Sequence, residues 1–587
     1  MSDDKITGKA FDFSLLRRIF GLVSGYKFVV FIAVLFTVLG SVIATSIPQV
    51  VKSSFNTYIL HLDGAGLLRL CILYFAMLIL QTVFSYLQTY YNGWLGQQAI
   101  HKLRVRVFNH ILNFKLSHYD RTPVGTLITR SISDVEAVAD VFGEGLISIL
   151  GDSLQIIFIL AWMFHESWLL SLYSLAVFPF LLIAAYIFKE KVKGSFQDVR
   201  TQVARLNAFL QEHITGMQIV QVFNRQAIEN ERFEKINTLH KEANIRSVLY
   251  YSVFFPVIEV LQAISIGLII WGGAKAVLIH ITDPGTLIQF IMLINILFRP
   301  IRMIADKFNT LQMGMVAAGR IFKVLDTEDS TIDSGTIDNK QIEGKVSFKN
   351  VWFAYNDENW ILKDISFEVK PGEMLAIVGH TGAGKTSITN LVNRVYEKQK
   401  GDILVDGISV DDYKLNSLRS QIAVVLQDVF LFSDTIANNI RLFNPGISIE
   451  QMHEAARLVG ADRFINKLPG GFEYEVQERG ATLSTGQRQL ISFIRAILQN
   501  PRILILDEAT SSIDHETEEM IKNATEVLLK GRTSIVIAHR LATIQQADRI
   551  LVMEKGRIVE SGRHEELINN GGLYRKLYEL QFTELVI

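Results

Sequence analysis

Cysteine is almost absent from this sequence: among 587 residues only Cys71 carries a thiol. A disulfide within the chain is therefore excluded, and no metal cluster or redox motif is available. Cys71 lies in an apolar run, where a thiol behaves as a small hydrophobe. An excess of charge of either sign is missing too. The 58 basic and 59 acidic side chains leave a formal net charge of −1, so nucleic acid, a polyanion, would meet no overall basic field and is not expected as a partner. Charged residues amount to only 20%, against about 25% in ordinary soluble domains. The segment Met1 to Phe13 lacks the charged, then apolar, then small-residue pattern of a cleavable signal. Membrane insertion is accordingly expected from internal segments.

Apolar residues are plentiful, at 49%, with a mean hydropathy of +0.26. The surplus sits before about Arg320. Windows of about 20 residues pick out six spans: Phe28 to Ile47, Leu67 to Tyr86, Val141 to Phe164, Trp168 to Phe188, Val248 to Trp271, and Leu287 to Leu297 with its flanks. Pro48, Pro179 and Pro256 fall within or beside them, which membrane helices tolerate when neighbours satisfy the freed carbonyls. Lys and Arg crowd the connections between spans two and three and between spans four and five, while the other connections are short and poor in positive charge. The positive-inside rule then places both termini in the cytoplasm.

The two long connections keep helical periodicity, so they read as membrane helices prolonged into the cytoplasm. The first turns at Tyr119 to Gly125, where Pro123 and Gly125 supply breakers, and the second near Leu206 to Met217. Ahead of span one, Phe11 to Tyr26 has helical apolar spacing and is expected along the cytoplasmic membrane surface.

After the charged stretch 326–343 the pattern changes to short strands and turns, starting with Val346 to Phe353. Met374 to Val378 is an apolar run leading into Gly379-His380-Thr381-Gly382-Ala383-Gly384-Lys385-Thr386, which fits G-x-x-x-x-G-K-[ST] with a helix behind it. Backbone N–H groups of such a loop close around phosphate oxygens. Lys385 is placed to reach the β- and γ-phosphates and Thr386 to hold Mg2+. Further on, Ile503-Leu504-Ile505-Leu506 ends in Asp507-Glu508. Two carboxylates after an apolar strand are commonplace alone; coupled to a phosphate loop they point to nucleotide hydrolysis, with Asp507 toward Mg2+ and Glu508 toward the attacking water. Leu483-Ser484-Thr485-Gly486-Gln487 opens a further helix and offers a second anion-binding end. One nucleotide needs one phosphate loop, so that second end suits a nucleotide held by a partner across a dimer interface. Gln427 and His539 follow apolar strands, where such residues are more often structural than functional.

The whole chain resembles a half-transporter of the type IV ABC exporters, in which six transmembrane helices with long cytoplasmic extensions precede an α/β P-loop ATPase domain. The resemblance implies a transmembrane domain over 1–325, a linker over 326–343 and a nucleotide-binding domain over 344–587. It makes Tyr355 the aromatic that stacks on adenine, and Gly379 to Ser387 the ATP-binding loop and helix start. Gln427 becomes a catalytic and Mg2+-binding residue, Asp507 the second carboxylate at the metal, Glu508 the catalytic carboxylate and His539 the switch histidine. Leu483 to Gln487 would act in trans as the signature, with Ser511 and Asp514 in the D-loop. Tyr119 to Asp134 is similar to the first coupling loop, and Gln211 to Arg225 to the segment following the second.

ATP and Mg2+ are the implied cofactors, a second half-transporter the implied partner, and a bacterial cytoplasmic membrane the implied location. One departure stands out: Thr485 occupies a signature position where the family most often has glycine. Glu508 combined with an altered signature is similar to one subunit of heterodimeric exporters, and a homodimer that tolerates threonine is the alternative. The implied activity is export or flipping of a hydrophobic or amphipathic substrate, a drug or lipid, by alternating access. An ATP-gated channel and a cargo-free regulatory ATPase are the rivals. Glu259 and Gln262 in span five, Gln81 in span two, and Asp152 and Gln155 in span three are polar at bilayer depth. Glu259 and Gln262 are assigned to the substrate cavity, with hydrogen bonding between helices the alternative for Glu259, and the many aromatics, Phe254, Phe255, Phe290 and Phe298 among them, suit an apolar cargo or lipid-facing packing equally.

Overall fold

A computed structural model describes residues 12–331, 333–338, 341–356, 359–507, 515–538 and 541–582. The chain divides into two compact units: the first runs to Leu112 and resumes over Val124–Glu328, and the second joins Asn113–Pro123 to everything from Asp329 onward.

The first unit is helical: α1 (Phe13–Leu22), α2 (Lys27–Ser53), α3 (Gly64–Leu112), and, after a short α4 (Leu116–Arg121) that belongs to the second unit, α5 (Val124–Ser131), α6 (Ser133–Asp140), α7 (Leu146–Glu166), α8 (Trp168–Leu175), α9 (Phe178–Thr215), α10 (Met217–Val222), α11 (Gln226–Leu278) and α12 (Pro284–Leu325). Among the described residues six stretches are long and apolar enough to cross a membrane, and they contain the six spans read from sequence. At 1.5 Å per residue the 49 residues of α3 extend roughly 70 Å, more than twice the hydrocarbon thickness of about 30 Å. The expected prolongation of the spans is thus real.

Residues 206–215 continue α9 because no breaker occurs before Gly216, so the second turn lies at 216–225, later than expected. Pro48, Pro256 and Pro300 sit inside helices, and Pro179 opens α9. The α1 helix, capped by Asp12, turns Leu16, Ile19 and Leu22 inward. Arg18 forks onto Asp326 at 2.7 Å and lies 4.0 Å over the Phe322 ring, which docks α1 on the end of α12. The packed centre of this unit includes Phe254, Phe290 and Phe298, with Phe254 stacked on Phe188 at 3.7 Å.

Among the described residues the second unit holds two sheets. The strands β1 (Val346–Phe353), β2 (Leu362–Val369), β3 (Met374–Gly379), β4 (Lys400–Val405), β5 (Ile408–Ser409), β6 (Ile422–Val425), β7 (Ile503–Asp507), β8 (Thr533–Ile537), β9 (Arg549–Glu554) and β10 (Arg557–Gly562) form an antiparallel β2-β1-β4-β5 sheet and a larger β10-β9-β3-β8-β7-β6 sheet. In the larger sheet β9, β3, β8, β7 and β6 run parallel. Parallel strands are covered on both faces, which explains why β7 and β8 are apolar runs buried along their whole length. The helix α13 (Lys385–Val392) follows β3 directly.

Candidate nucleotide site

Because their strands are parallel, the C-terminal ends of β3, β8, β7 and β6 lie on one edge of the sheet, where ligands of open α/β sheets collect. The register pairs Ile377 with Ile537 and Asp507 with Ile537, and Val425 with Leu506. That alignment sets the phosphate loop after β3, Asp507 at the tip of β7 and Gln427 beyond β6 along the same edge.

The loop geometry requires glycine at two places. Gly384 caps α13 with φ of 100°, a left-handed value that residues with a side chain rarely adopt. At Gly379 an added Cβ would lie 2.3 Å from the Met553 carbonyl oxygen. Lys385 is buried, and its Nζ donates to the carbonyl oxygens of Gly379 at 2.7 Å and His380 at 3.2 Å. Burial lowers its pKa from the ordinary lysine value, and the Asp507 carboxylate opposes that shift. Thr386 Oγ1 donates to Asp507 Oδ2 at 3.2 Å. A hydroxyl and a carboxylate so close form a hard-oxygen donor set of the kind Mg2+ takes. His380, Thr381 and Gly382 are exposed along the loop, Ala383 and Ser387 are buried, and Gln427 is exposed.

Tyr355 is tied to the same place. Its hydroxyl and that of Ser387 share a hydrogen bond of 3.0 Å, so the aromatic assigned to adenine is anchored on the phosphate-loop helix. Its ring meets Tyr396 edge-on at 5.0 Å and an interplanar angle of 90°. The Tyr396 hydroxyl in turn donates to Asp120 Oδ2 of α4 at 2.7 Å, and Arg121 Nη2 donates to the Tyr355 carbonyl oxygen at 3.2 Å. Sequence reasoning did not single out Tyr396; nothing in Val395-Tyr396-Glu397 marks it.

The signature forms a separate construction. Ser484 caps the helix Thr485–Gln499 through a reciprocal capping box: its hydroxyl accepts from Gln487 N at 3.2 Å, and Gln487 Oε1 accepts from Ser484 N at 3.0 Å. Leu483 and Gly486 are buried, whereas Ser484 and Thr485 are exposed. Thr485 Oγ1 accepts from Arg488 Nη2 at 3.2 Å. Glu508, Ser511, Asp514 and His539 lie outside the described residues.

In the helical unit a cavity of about 1380 Å3 is lined by residues of α2, α3, α6, α7 and α12, with Gln81, Asp152 and Gln155 among them. Asp152 pairs with Lys307 across it. Glu259 is exposed on α11, outside this lining, and Gln262 donates to Asn295, a lining residue, at 2.6 Å.

Two family models match, one described as ABC transporter transmembrane region over residues 30–301 and one described as ABC transporter over residues 362–511. The chain is 36% identical over 100% of its length to an uncharacterized ABC transporter ATP-binding protein, YknV, of Bacillus subtilis, covering 97% of that protein. It is 38% identical to a probable multidrug resistance ABC transporter ATP-binding/permease protein, YheH, of the same organism, over 88% of this chain and 77% of that one. It is 37% identical to an ATP-dependent lipid A-core flippase of Shewanella oneidensis, over 89% and 87%. A solved bacterial Atm1-family ABC exporter with ATP bound superposes with a TM-score of 0.78 at 26% identity, over 97% of this chain and 99% of the other. With a helical membrane region and a phosphate-loop ATPase fused in one polypeptide, this chain is a member of the ABC transporter family.

Proposed function

We propose that this chain is one half of a dimeric ABC exporter that hydrolyses ATP to drive an amphipathic substrate across the membrane by alternating access. One observation carries the reading: the phosphate loop, Tyr355, Thr386 and Asp507 converge at one sheet edge, in a chain that also supplies six membrane-spanning stretches. Tyr355 stacks on adenine. The loop N–H groups and Lys385 bind the phosphates, so Lys385 exchanges its carbonyl contacts for phosphate oxygens. Thr386, Asp507 and Gln427 would hold Mg2+, which when bound neutralises charge on the β- and γ-oxygens. Glu508 accepts a proton from water as that water attacks the γ-phosphorus and the bond to the β-phosphate oxygen breaks, giving ADP and phosphate. His539 donates to the γ-phosphate.

Ser484 and Gly486 of each chain complete the nucleotide site of the other. ATP therefore clamps two nucleotide domains together, and hydrolysis lets them part. The location that fits is a bacterial cytoplasmic membrane with the ATPase domain on the cytoplasmic side. Glu508→Gln in the reconstituted dimer is expected to keep ATP binding and to lower turnover by about 100- to 10,000-fold, the share ordinarily due to a positioned general base. Undiminished turnover would remove Glu508 from the mechanism.

A further inference from the structure

The cavity of the helical unit has a chemical character that the export reading leaves unspecified. Aromatic residues make up 10% of the chain, yet none of the described residues lining this cavity is aromatic. Phe254, Phe290 and Phe298, which from the sequence alone suited an apolar cargo or lipid-facing packing equally, are buried in the packed core instead. A pocket for flat aromatic cations would present rings for stacking and cation–π contact. This one presents amides and hydroxyls.

Along α3 the lining residues Gln81, Ser85, Gln88, Thr89 and Asn92 recur at helical spacing and form one polar stripe. Asn92 is only 4% exposed, and among the described residues its side-chain carbonyl oxygen has no hydrogen-bond partner. Buried acceptors of this kind are normally paired, and this one, shielded behind the cavity wall, becomes available to a ligand's donor when the amide turns toward the cavity. Among the described residues the charged lining offers no surplus of either sign: Arg104, Arg299 and Lys307 face an equal number of acids, Glu136, Asp140 and Asp152. Lys307 pairs with Asp152, and Arg104 approaches Glu136 to 3.5 Å. Its volume of about 1380 Å3 exceeds the roughly 300–1,000 Å3 of pockets for drug-sized ligands.

We infer that the cavity receives the head of a neutral glycolipid, a sugar whose hydroxyls both donate and accept and so match side-chain amides on both counts. The inference rests on the export reading and names its substrate class.

The test uses the transporter purified with whatever partner half accompanies it, in phosphatidylcholine vesicles, with ATP turnover as the readout. Monoglucosyldiacylglycerol added to the vesicles is expected to raise turnover several-fold. Diacylglycerol with the same tails, phosphatidylglycerol and ethidium are expected to leave it near the basal rate. Gln88→Leu combined with Asn92→Leu should abolish the response to the sugar lipid, while Cys71→Ser, an exposed position outside the cavity, should retain it. The comparison of lipids needs no variant and stands even if the double variant folds poorly. A response to diacylglycerol, phosphatidylglycerol or ethidium as large as that to the sugar lipid overturns the assignment, as does a response that survives the double substitution. Intact basal turnover with no response to the sugar lipid overturns the head-group assignment alone. Loss of basal turnover in the unaltered protein overturns the export reading beneath it.

Discussion

Thr485 sits in the first turn of its helix with ordinary helical torsions, since it is absent from the residues with positive φ among those described. Backbone conformation therefore does not call for glycine here. What remains is space: on the proposed dimer reading a β-branched side chain would stand where the partner's γ-phosphate approaches, and its hydroxyl accepts from Arg488. Thr485→Gly is expected to raise the ATP turnover of the assembled dimer a few-fold by letting the backbone N–H groups come closer. The same change should lower the melting temperature slightly, because glycine costs a helix about 1 kcal/mol relative to alanine. Turnover that stays level or falls would show that threonine does not hold the composite site back. Lys385 permits a complementary measurement. Lys385→Ala removes a charged donor from the phosphates, and charge-assisted hydrogen bonds contribute about 1.5–3 kcal/mol. ATP affinity, read by titration of the purified protein, should drop by roughly tenfold to a hundredfold.

The short helix α4 reaches the candidate nucleotide site more directly than its length suggests. It follows α3 in the chain yet clusters with the nucleotide-binding unit. There Lys115 pairs with Glu397 at 3.0 Å, and the Asp120–Tyr396–Tyr355 contacts lead to the ring assigned to adenine. Burial and the hydrogen bond to Asp120 both push the Tyr396 phenol above its ordinary pKa, so it remains a donor throughout the physiological range. Tyr396→Phe keeps the ring against Tyr355 and deletes only the donor. Substrate moved per ATP should fall while ATP affinity holds, and Asp120→Asn combined with it should be less than additive, with a coupling of about 0.5–3 kcal/mol. Full additivity would mean that the hydroxyl and the carboxylate act independently.

This contact also marks how far the sequence could be read. The strands β3, β7 and β8 were legible because each is an apolar run leading into a glycine-rich loop, a carboxylate or, for β8, His539, and parallel pairing then determines which ends meet. Gln81, Asp152 and Gln155 were legible as polar groups at bilayer depth. A bond between residues 276 positions apart leaves no periodic trace, and the face that Glu259 presents depends on how α11 packs, which its own spacing leaves open.

At the scale of the whole molecule the open matter is which chain supplies the second half. On the proposed reading this polypeptide carries both ends of a composite site, the phosphate loop with Asp507 and a capped signature helix, and the backbone at Thr485 stays helical. A closed two-fold dimer of identical chains would then contain two equivalent sites, each using the loop of one copy and the signature of the other. Two damaged versions can expose that arrangement. Lys385→Ala ruins the loop and spares the signature; Ser484→Arg removes the helix cap, puts bulk at the signature and spares the loop. Each variant alone should be nearly inactive, because both sites of either homodimer are defective. Coexpressed in equal amounts under two affinity tags, half of randomly mixed dimers contain one copy of each and therefore one sound site. Turnover of the unfractionated mixture should recover to roughly a quarter of the unaltered rate if sites fire independently. The doubly tagged fraction should carry all of it. No recovery, together with failure of the two tags to copurify, would mean that this chain pairs only with a different half-transporter, and Thr485 would then belong to an asymmetric pair in which the other subunit sets the pace.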